Sequence, residues 1–276
     1  MNDAEIRKIL AIGGSDPSGG AGVQTDMKTI LEHGAYPYTV LTAITAQNST
    51  GVLAHETISA RMVSEQIKAV LDDGPVHAVK TGMLSSSENI LQVLSLIKNN
   101  AISISVIDPV IKASDGTALT SGATIAVLKK RLLPHVFMVV PNIHEAAHLA
   151  EIPINSEHDQ LEAAKRIHDS GVAWVLIKGG HMHGDMSLDL LYNGKDTYSF
   201  KSSRIPGRDV RGTGCIIASA ICTNLSLGLQ PPDAVDKAKK YVYNKIKTAI
   251  NLGRGNMQAV FGTLSKEDDT DENRVD

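Results

Sequence analysis

Arg211-Gly212-Thr213-Gly214-Cys215-Ile216-Ile217-Ala218-Ser219-Ala220-Ile221 joins a glycine-rich turn directly to an apolar stretch and sets a thiol where a helix begins. Two glycines let the backbone approach a ligand closely, and the unpaired N–H groups of a first helical turn face whatever anion sits there. A phosphate suits such a place. The same field is expected to favour the Cys215 thiolate, so that a residue with a reference pKa of about 8.5 serves as a base near neutrality. The competing reading is plain packing, because glycine ahead of a buried helix can serve close approach alone and unpaired cysteines are often small core hydrophobes. Cys222 follows about 10 Å along the same helix, out of disulfide reach. Two cysteines without metal-ligand spacing fit a reducing cytoplasm.

Upstream of that turn, short β-branched runs alternate with stretches of helical period, which predicts repeated βα units around a largely parallel sheet. The expected strands are Lys8 to Gly13, Thr39 to Thr45, Val76 to Val79, Ile102 to Ile107, Phe137 to Val140 and Val172 to Ile177, mostly apolar throughout as strands covered on both faces are. Expected helices include Gln24 to His33, ended by Gly34; a segment with Val63, Ile67, Val70 and Leu71 on one face; one opened by Ser87-Glu88; and one capped at Ser156 and continuing to Gly171. Asn193-Gly194, between Leu188 to Tyr192 and Thr197 to Phe200, predicts a hairpin with a type I′ turn. Pro232 is expected in the first turn of a helix reaching Asn251, with Val235, Ala238, Val242 and Ala249 spaced for packing.

With 276 residues and 42% hydrophobic content the chain can bury a full core, and one α/β domain over residues 1–263 is expected. Residues 264–276 are polar and mainly acidic and are expected to form a disordered tail. A net charge of −3 without a dense Lys/Arg run argues against nucleic acid or an anionic membrane as partner and favours a small-molecule substrate. The polar start and the lack of a roughly 20-residue apolar run predict a soluble, cytoplasmic protein.

Ligands of open α/β sheets gather beyond the carboxyl ends of the strands. Here those ends carry, in order, Gly14-Ser15-Asp16-Pro17-Ser18-Gly19-Gly20-Ala21-Gly22 with Asp26, then Thr42-Ala43 to Gln47-Asn48, Lys80-Thr81-Gly82-Met83-Leu84, Asp108-Pro109-Val110, Pro141-Asn142 with Glu145-Ala146, Lys178-Gly179-Gly180-His181 and Gly212-Thr213-Gly214-Cys215. Singly, each has a bland explanation: a turn cap, a surface amide, or core filling for Met83. Together and in this order they resemble the hydroxymethylpyrimidine/phosphomethylpyrimidine kinases of thiamine biosynthesis, in the ribokinase-like superfamily. The resemblance spans nearly the whole domain.

That resemblance implies an α/β ribokinase-like three-layer sandwich with helices on both faces of a mostly parallel sheet, ATP and Mg2+ as cosubstrates, and a homodimer. It implies that Gly212, Thr213 and Gly214 hold the transferring phosphoryl group, that Lys178 adds positive charge, and that Cys215 takes the proton of the hydroxymethyl group. Asn142 and Glu145 match an Asn-x-x-Glu pair that places magnesium largely through water. Thr213 and Lys178 also count toward nucleotide binding. Ala21, Asp26, Gln47, Met83 and Val110 are implied as the pyrimidine pocket, Asp26 and Gln47 by hydrogen bonds and the others by framing the ring.

His144-Glu145-Ala146-Ala147-His148 also satisfies the His-Glu-x-x-His pattern of zinc peptidases, the reading from another enzyme class. No convincing third ligand accompanies it, and Glu145 is already claimed by the kinase pattern; His181 and His183 read as loop residues. Pyridoxal kinase of the same superfamily is the nearer alternative. Arg211 stands where relatives carry histidine or asparagine, as an added charge at the phosphates or as a solvated side chain. Gly253-Arg254-Gly255-Asn256 replaces a turn that commonly finishes in Gly-Pro.

Overall fold

Ile9, Leu10, Ala11 and Ile12 are all fully buried, and they divide between two cores: Leu10 and Ile12 join one, Ile9 and Ala11 the other. A strand with side chains alternating between faces needs cover on both sides, so this run requires a layer of helices above and below it. The computed structural model describes residues 6–112, 116–117, 119–180 and 185–262; His181, His183 and the expected tail lie outside the described residues.

The chain runs β1 (Lys8–Ser15), α1 (Gly22–Glu32), β2 (Tyr36–Asn48), β3 (Gly51–Thr57), α2 (Ala60–Asp72), β4 (Ala78–Thr81), α3 (Ser87–Asn99), β5 (Ser105–Ile107), α4 (Gly122–Val127), β6 (Met138–Val139), α5 (Ile143–Ala150), α6 (Glu157–His168), β7 (Trp174–Ile177), β8 (Met186–Tyr192), β9 (Thr197–Ser203), α7 (Thr213–Ser226) and α8 (Pro231–Lys247). After α4 a π turn and a 3-10 turn carry the chain to His135. The strands form one nine-stranded sheet in the order β3-β2-β1-β4-β5-β6-β7-β8-β9. From β2 to β7 neighbours are parallel, and β3 and β8 are antiparallel to the strands beside them. One core lies under α2, α3, α5 and α6, with Val63, Val93, Leu149 and Ile167; the other lies under α1, α7 and α8, with Ile30, Ile221 and Val235.

Three local expectations are corrected. The hairpin between β8 and β9 turns over Asn193 to Asp196 rather than in a two-residue type I′ turn. Asn193 is not in the left-handed region that this turn type demands, and its Oδ1 instead accepts the Lys195 and Asp196 N–H groups. Helix α8 stops at Lys247 instead of Asn251, because Ile250 and Gln258 exchange N–H···O bonds and pull the chain out of the helix. Strand β3 had no counterpart among the expected strands. It pairs with the far end of β2 as a projecting flap, with most of its side chains in solvent and only the short Val52-Leu53-Ala54 run to mark it.

Candidate active site

Helix α7 opens at Gly212, whose φ of +73° places it in the left-handed region, and a Cβ there would collide with the Gly20 carbonyl oxygen. Glycine is therefore required where the glycine-rich loop after β1 crosses the start of α7. Gly212, Thr213, Gly214 and Cys215 are partly accessible, whereas Ile216 onward is sealed in the core. The accessible part of α7 is thus its amino end, where backbone N–H groups lack helical partners.

Two ion pairs adjoin α7. In the first, Lys178 Nζ lies 2.8 Å from Asp108 Oδ1. A Cβ on Gly214 would stand 3.4 Å from the Lys178 ammonium and 3.5 Å from Asp108 Oδ2, so both groups border the first turn. Burial alone would push the Lys178 ammonium down, but the Asp108 and Glu145 carboxylates outweigh it and hold the lysine above its ordinary range. The second pair meets α7 one turn further in, where Lys80 Nζ lies 2.6 Å from Asp26 Oδ1 with both side chains out of solvent. Ser219, one helical turn beyond Cys215, donates to the same Asp26 oxygen at 2.8 Å. Asp26 Oδ2 is buried without a hydrogen-bond partner in the protein. Burial opposes the Lys80 charge as well, yet Asp26, Cys215 and Asp108 together raise it above the usual lysine value.

Cys215 lies within the field of both pairs, and burial works against the acidified thiol that was expected. Burial pushes the Cys215 thiol up to about 12, Asp26 and Asp108 add to the rise, and Lys80 with the Gly22 N–H opposes it without cancelling it. Both cysteines are free thiols.

Asn142 and Glu145 form a reciprocal cap on α5. Asn142 Oδ1 accepts the Glu145 N–H at 2.9 Å, and the Glu145 carboxylate accepts the Asn142 N–H at 2.7 Å. Glu145 is buried beside Asp108, and burial first, then that like charge, raises its carboxyl to about 7 against the pull of Lys178 and backbone N–H groups. Its neighbours in the His-Glu-x-x-His pattern point elsewhere: His144 and His148 are exposed while Glu145 faces inward. Among the described residues no cluster of three or more His, Cys, Asp or Glu is arranged to hold a metal.

The remaining residues of the implied pocket separate into groups. Met83 packs with Ala43 and Leu119, and Val110 lies against that cluster. Ala21 caps α1 at the loop that crosses Gly212. Gln47 sits near the end of β2, partly buried, with its amide oxygen accepting from Thr45 Oγ1. The structure brings Cys215, Lys178 and Asp26 into one electrostatic cluster, whereas no direct contact ties Gln47 to them.

Arg211 is not the solvated side chain that one reading expected. It is buried, its Nη2 lies 3.3 Å from Asp16 Oδ2, and its other terminal nitrogen donates to the Asn48 carbonyl and to Ser18 Oγ. The guanidinium therefore ties the glycine-rich loop, the end of β2 and the start of α7 together, with its charge met by Asp16. The altered turn after α8 is pinned to the same flap, Gly255 N–H donating to Ser49 Oγ and Asn256 N–H to the Ser49 carbonyl. Sequence reading assigned no role to Lys80 or Asp108. The signals available were a lysine inside an otherwise apolar strand and an aspartate directly after one.

A sequence model of the phosphomethylpyrimidine kinase family matches residues 16–260. The chain is 42% identical over 247 residues to a thiamine biosynthesis bifunctional protein of Geobacter sulfurreducens, covering 90% of this chain and 50% of that one. It is 40% identical over 247 residues to the hydroxymethylpyrimidine/phosphomethylpyrimidine kinase of Streptomyces coelicolor, covering 90% of this chain and 91% of the relative. It therefore spans half of the bifunctional relative and nearly all of the single kinase. The ADP complex of Bacillus subtilis pyridoxal kinase superposes with a TM-score of 0.85 at 31% identity, covering 92% of this chain and 96% of that one. A family match over residues 16–260, with a relative 40% identical across nearly the whole of both chains, shows that this chain belongs to the phosphomethylpyrimidine kinase family.

Proposed function

We propose that the chain transfers the terminal phosphoryl group of ATP to the hydroxymethyl group of 4-amino-5-hydroxymethyl-2-methylpyrimidine, and then phosphorylates the resulting monophosphate to the diphosphate. The observation that carries this reading is the accessible amino end of α7, with the Lys178–Asp108 pair at its first turn and the Lys80–Asp26 pair one turn behind. Phosphoryl transfer asks mainly for aligned reactants and stabilised oxygen charge. The N–H groups of Gly212, Thr213 and Gly214 face the transferring group, and Lys178 adds a cation beside them. Cys215 receives the acceptor proton in the first step. Asp26 Oδ2, left without a partner, is the atom available to the ring amino group, and Met83, Val110 and Ala21 enclose the ring with Gln47 at its edge.

Magnesium fits the donor chemistry, since Asp108 and Glu145 present carboxylate oxygens and Asn142 orients Glu145 through the cap. When bound with the nucleotide, the ion neutralises phosphate charge, and Asp108 and Glu145 would hold it through water. The enzyme is proposed to act as a cytoplasmic homodimer. Among the described residues no helix is long and apolar enough to cross a membrane. Phosphorylation of pyridoxal is the second reading, favoured by the likeness to the Bacillus subtilis pyridoxal kinase. The test is purified protein with Mg-ATP and, separately, hydroxymethylpyrimidine, its monophosphate or pyridoxal, following each product. Turnover of both pyrimidines above pyridoxal supports the proposal, and pyridoxal alone as substrate rejects it.

A further inference from the structure

Lys178 is followed by Gly179-Gly180, the least restrained backbone that could adjoin a residue whose ammonium must be placed accurately. Upstream the lysine is held by β7 and by its own N–H, which donates to the Pro141 carbonyl at 2.9 Å. Downstream a separate device takes over. The Gly179 N–H donates to Asp189 Oδ1 at 2.9 Å, and Asp189 Oδ2 lies 2.7 Å from Lys239 Nζ of α8. Arg204 takes the Gly179 carbonyl at 3.2 Å and the Gly180 carbonyl as well. Gly179 has no room for a side chain, because a Cβ would fall on the Leu188 carbonyl oxygen, so the peptide is pressed against β8 next to Asp189.

Asp189 is out of place by pattern. It lies between Leu188 and Leu190 on β8 and shares the sheet face of Leu191, which belongs to the apolar core under α8. Asp189 and Lys239 are both buried, and a buried ion pair is commonly replaceable by apolar side chains with no loss of stability. Stability alone does not account for it. The placement does: the pair ends on the peptide that leaves Lys178, whose ammonium lies 2.8 Å from Asp108.

We infer that Asp189, itself held by Lys239, is a positioning residue for Lys178, fixing the Gly179 peptide so that the lysine ammonium stays at the amino end of α7. This rests on the kinase reading of Lys178. A double-mutant cycle tests it, with Asp189→Ala and Lys178→Ala made singly and together in the full chain and slow residual turnover read with labelled ATP. Asp189→Ala is expected to lower kcat for both phosphorylations by about 10–100-fold with the pyrimidine KM unchanged. Asp189→Asn combined with Lys239→Gln should recover most of that loss, because the asparagine oxygen still accepts the Gly179 N–H while its amide N–H meets an acceptor in place of the Lys239 ammonium. In the Lys178→Ala background the Asp189→Ala change should cost less than about threefold. Equal fold losses in both backgrounds, or an Asp189→Asn/Lys239→Gln variant as slow as the Ala variant, would overturn the inference while leaving the kinase reading intact. Full activity of Lys178→Ala would remove the role of Lys178 and the inference with it, whereas no pyrimidine phosphorylation by the unaltered chain would reject the kinase reading. Should Asp189→Ala not fold, Asp189→Leu with Lys239→Leu replaces the pair by apolar groups; a folded double variant with wild-type kcat contradicts the inference, and the same 10–100-fold loss supports it.

Discussion

The Lys178 ammonium and the Asp108 carboxylate, paired at 2.8 Å, together border the space above Gly214. Neither is crowded by the glycine, and a methyl group there would make ordinary contacts of 3.4 Å and 3.5 Å with the two side chains. Gly214→Ala should therefore fold normally yet fill the room a phosphoryl oxygen needs. The expected result is a melting temperature close to wild type with kcat lowered by about 100-fold, the scale of losing one preorganised oxyanion donor. Thermal melts and steady-state rates on the same preparation check it.

Arg211 gives a prediction of the opposite kind. Its buried guanidinium is the ion-pair partner of Asp16, and Arg211→Leu would strand that carboxylate. Breaking a buried pair from one side costs about 3–5 kcal/mol. Urea unfolding should show a loss of that size, and a variant within about 1 kcal/mol of wild type would mean that the clamp is not structural.

These two residues show what sequence reading reaches. Gly214 belongs to a local motif, and its neighbours in the chain announce a helix start. Arg211 meets Asp16 from 195 positions away in the chain, and no periodicity or spacing carries such a contact. The same division runs through the fold. Ile9 to Ile12 and Val175 to Ile177 read as strands because cover on both faces leaves an unbroken apolar run. The flap strand β3 did not, because solvent imposes no pattern on it. Asn142 and Glu145 carried a capping signature in plain view, but their resemblance to a metal-placing pair drew the reading toward chemistry alone. Lys80 drew no role because its strand was expected to end at Val79, one residue short of it; only the fold sets it against Asp26.

Glu145 makes stability depend on pH. Its carboxyl sits at about 7 in the fold against an ordinary value of 4.5, so between those limits the folded state binds more protons than the unfolded state. Stability from this group is thus lost as pH rises through that window. Glu145→Gln keeps an acceptor for the Asn142 N–H and has no charge to bury. In the absence of magnesium the variant should gain on wild type from pH 5 to pH 8, by at most about 3 kcal/mol. Urea unfolding at the two pH values reads this directly, and a gap that does not change with pH contradicts it.

The thiol gives a kinetic signature. With Cys215 held up to about 12, the thiolate fraction grows about tenfold per pH unit through the neutral range. The first phosphorylation should accelerate with that slope from pH 7 to pH 9, while the second, whose acceptor is already ionised, should stay nearly flat. Initial rates for each pyrimidine across that range, at saturating Mg-ATP, distinguish the two profiles.

The central claim is that the sulfur at the head of α7 removes the acceptor proton while the neighbouring N–H groups and Lys178 hold the phosphoryl group. Cys215→Ala separates these roles, and the decisive measurement is its rate on hydroxymethylpyrimidine beside its rate on the monophosphate. A loss of about 100-fold or more in the first step, with less than tenfold in the second, is the predicted result. Equal losses in both steps would show that the thiol is not the base.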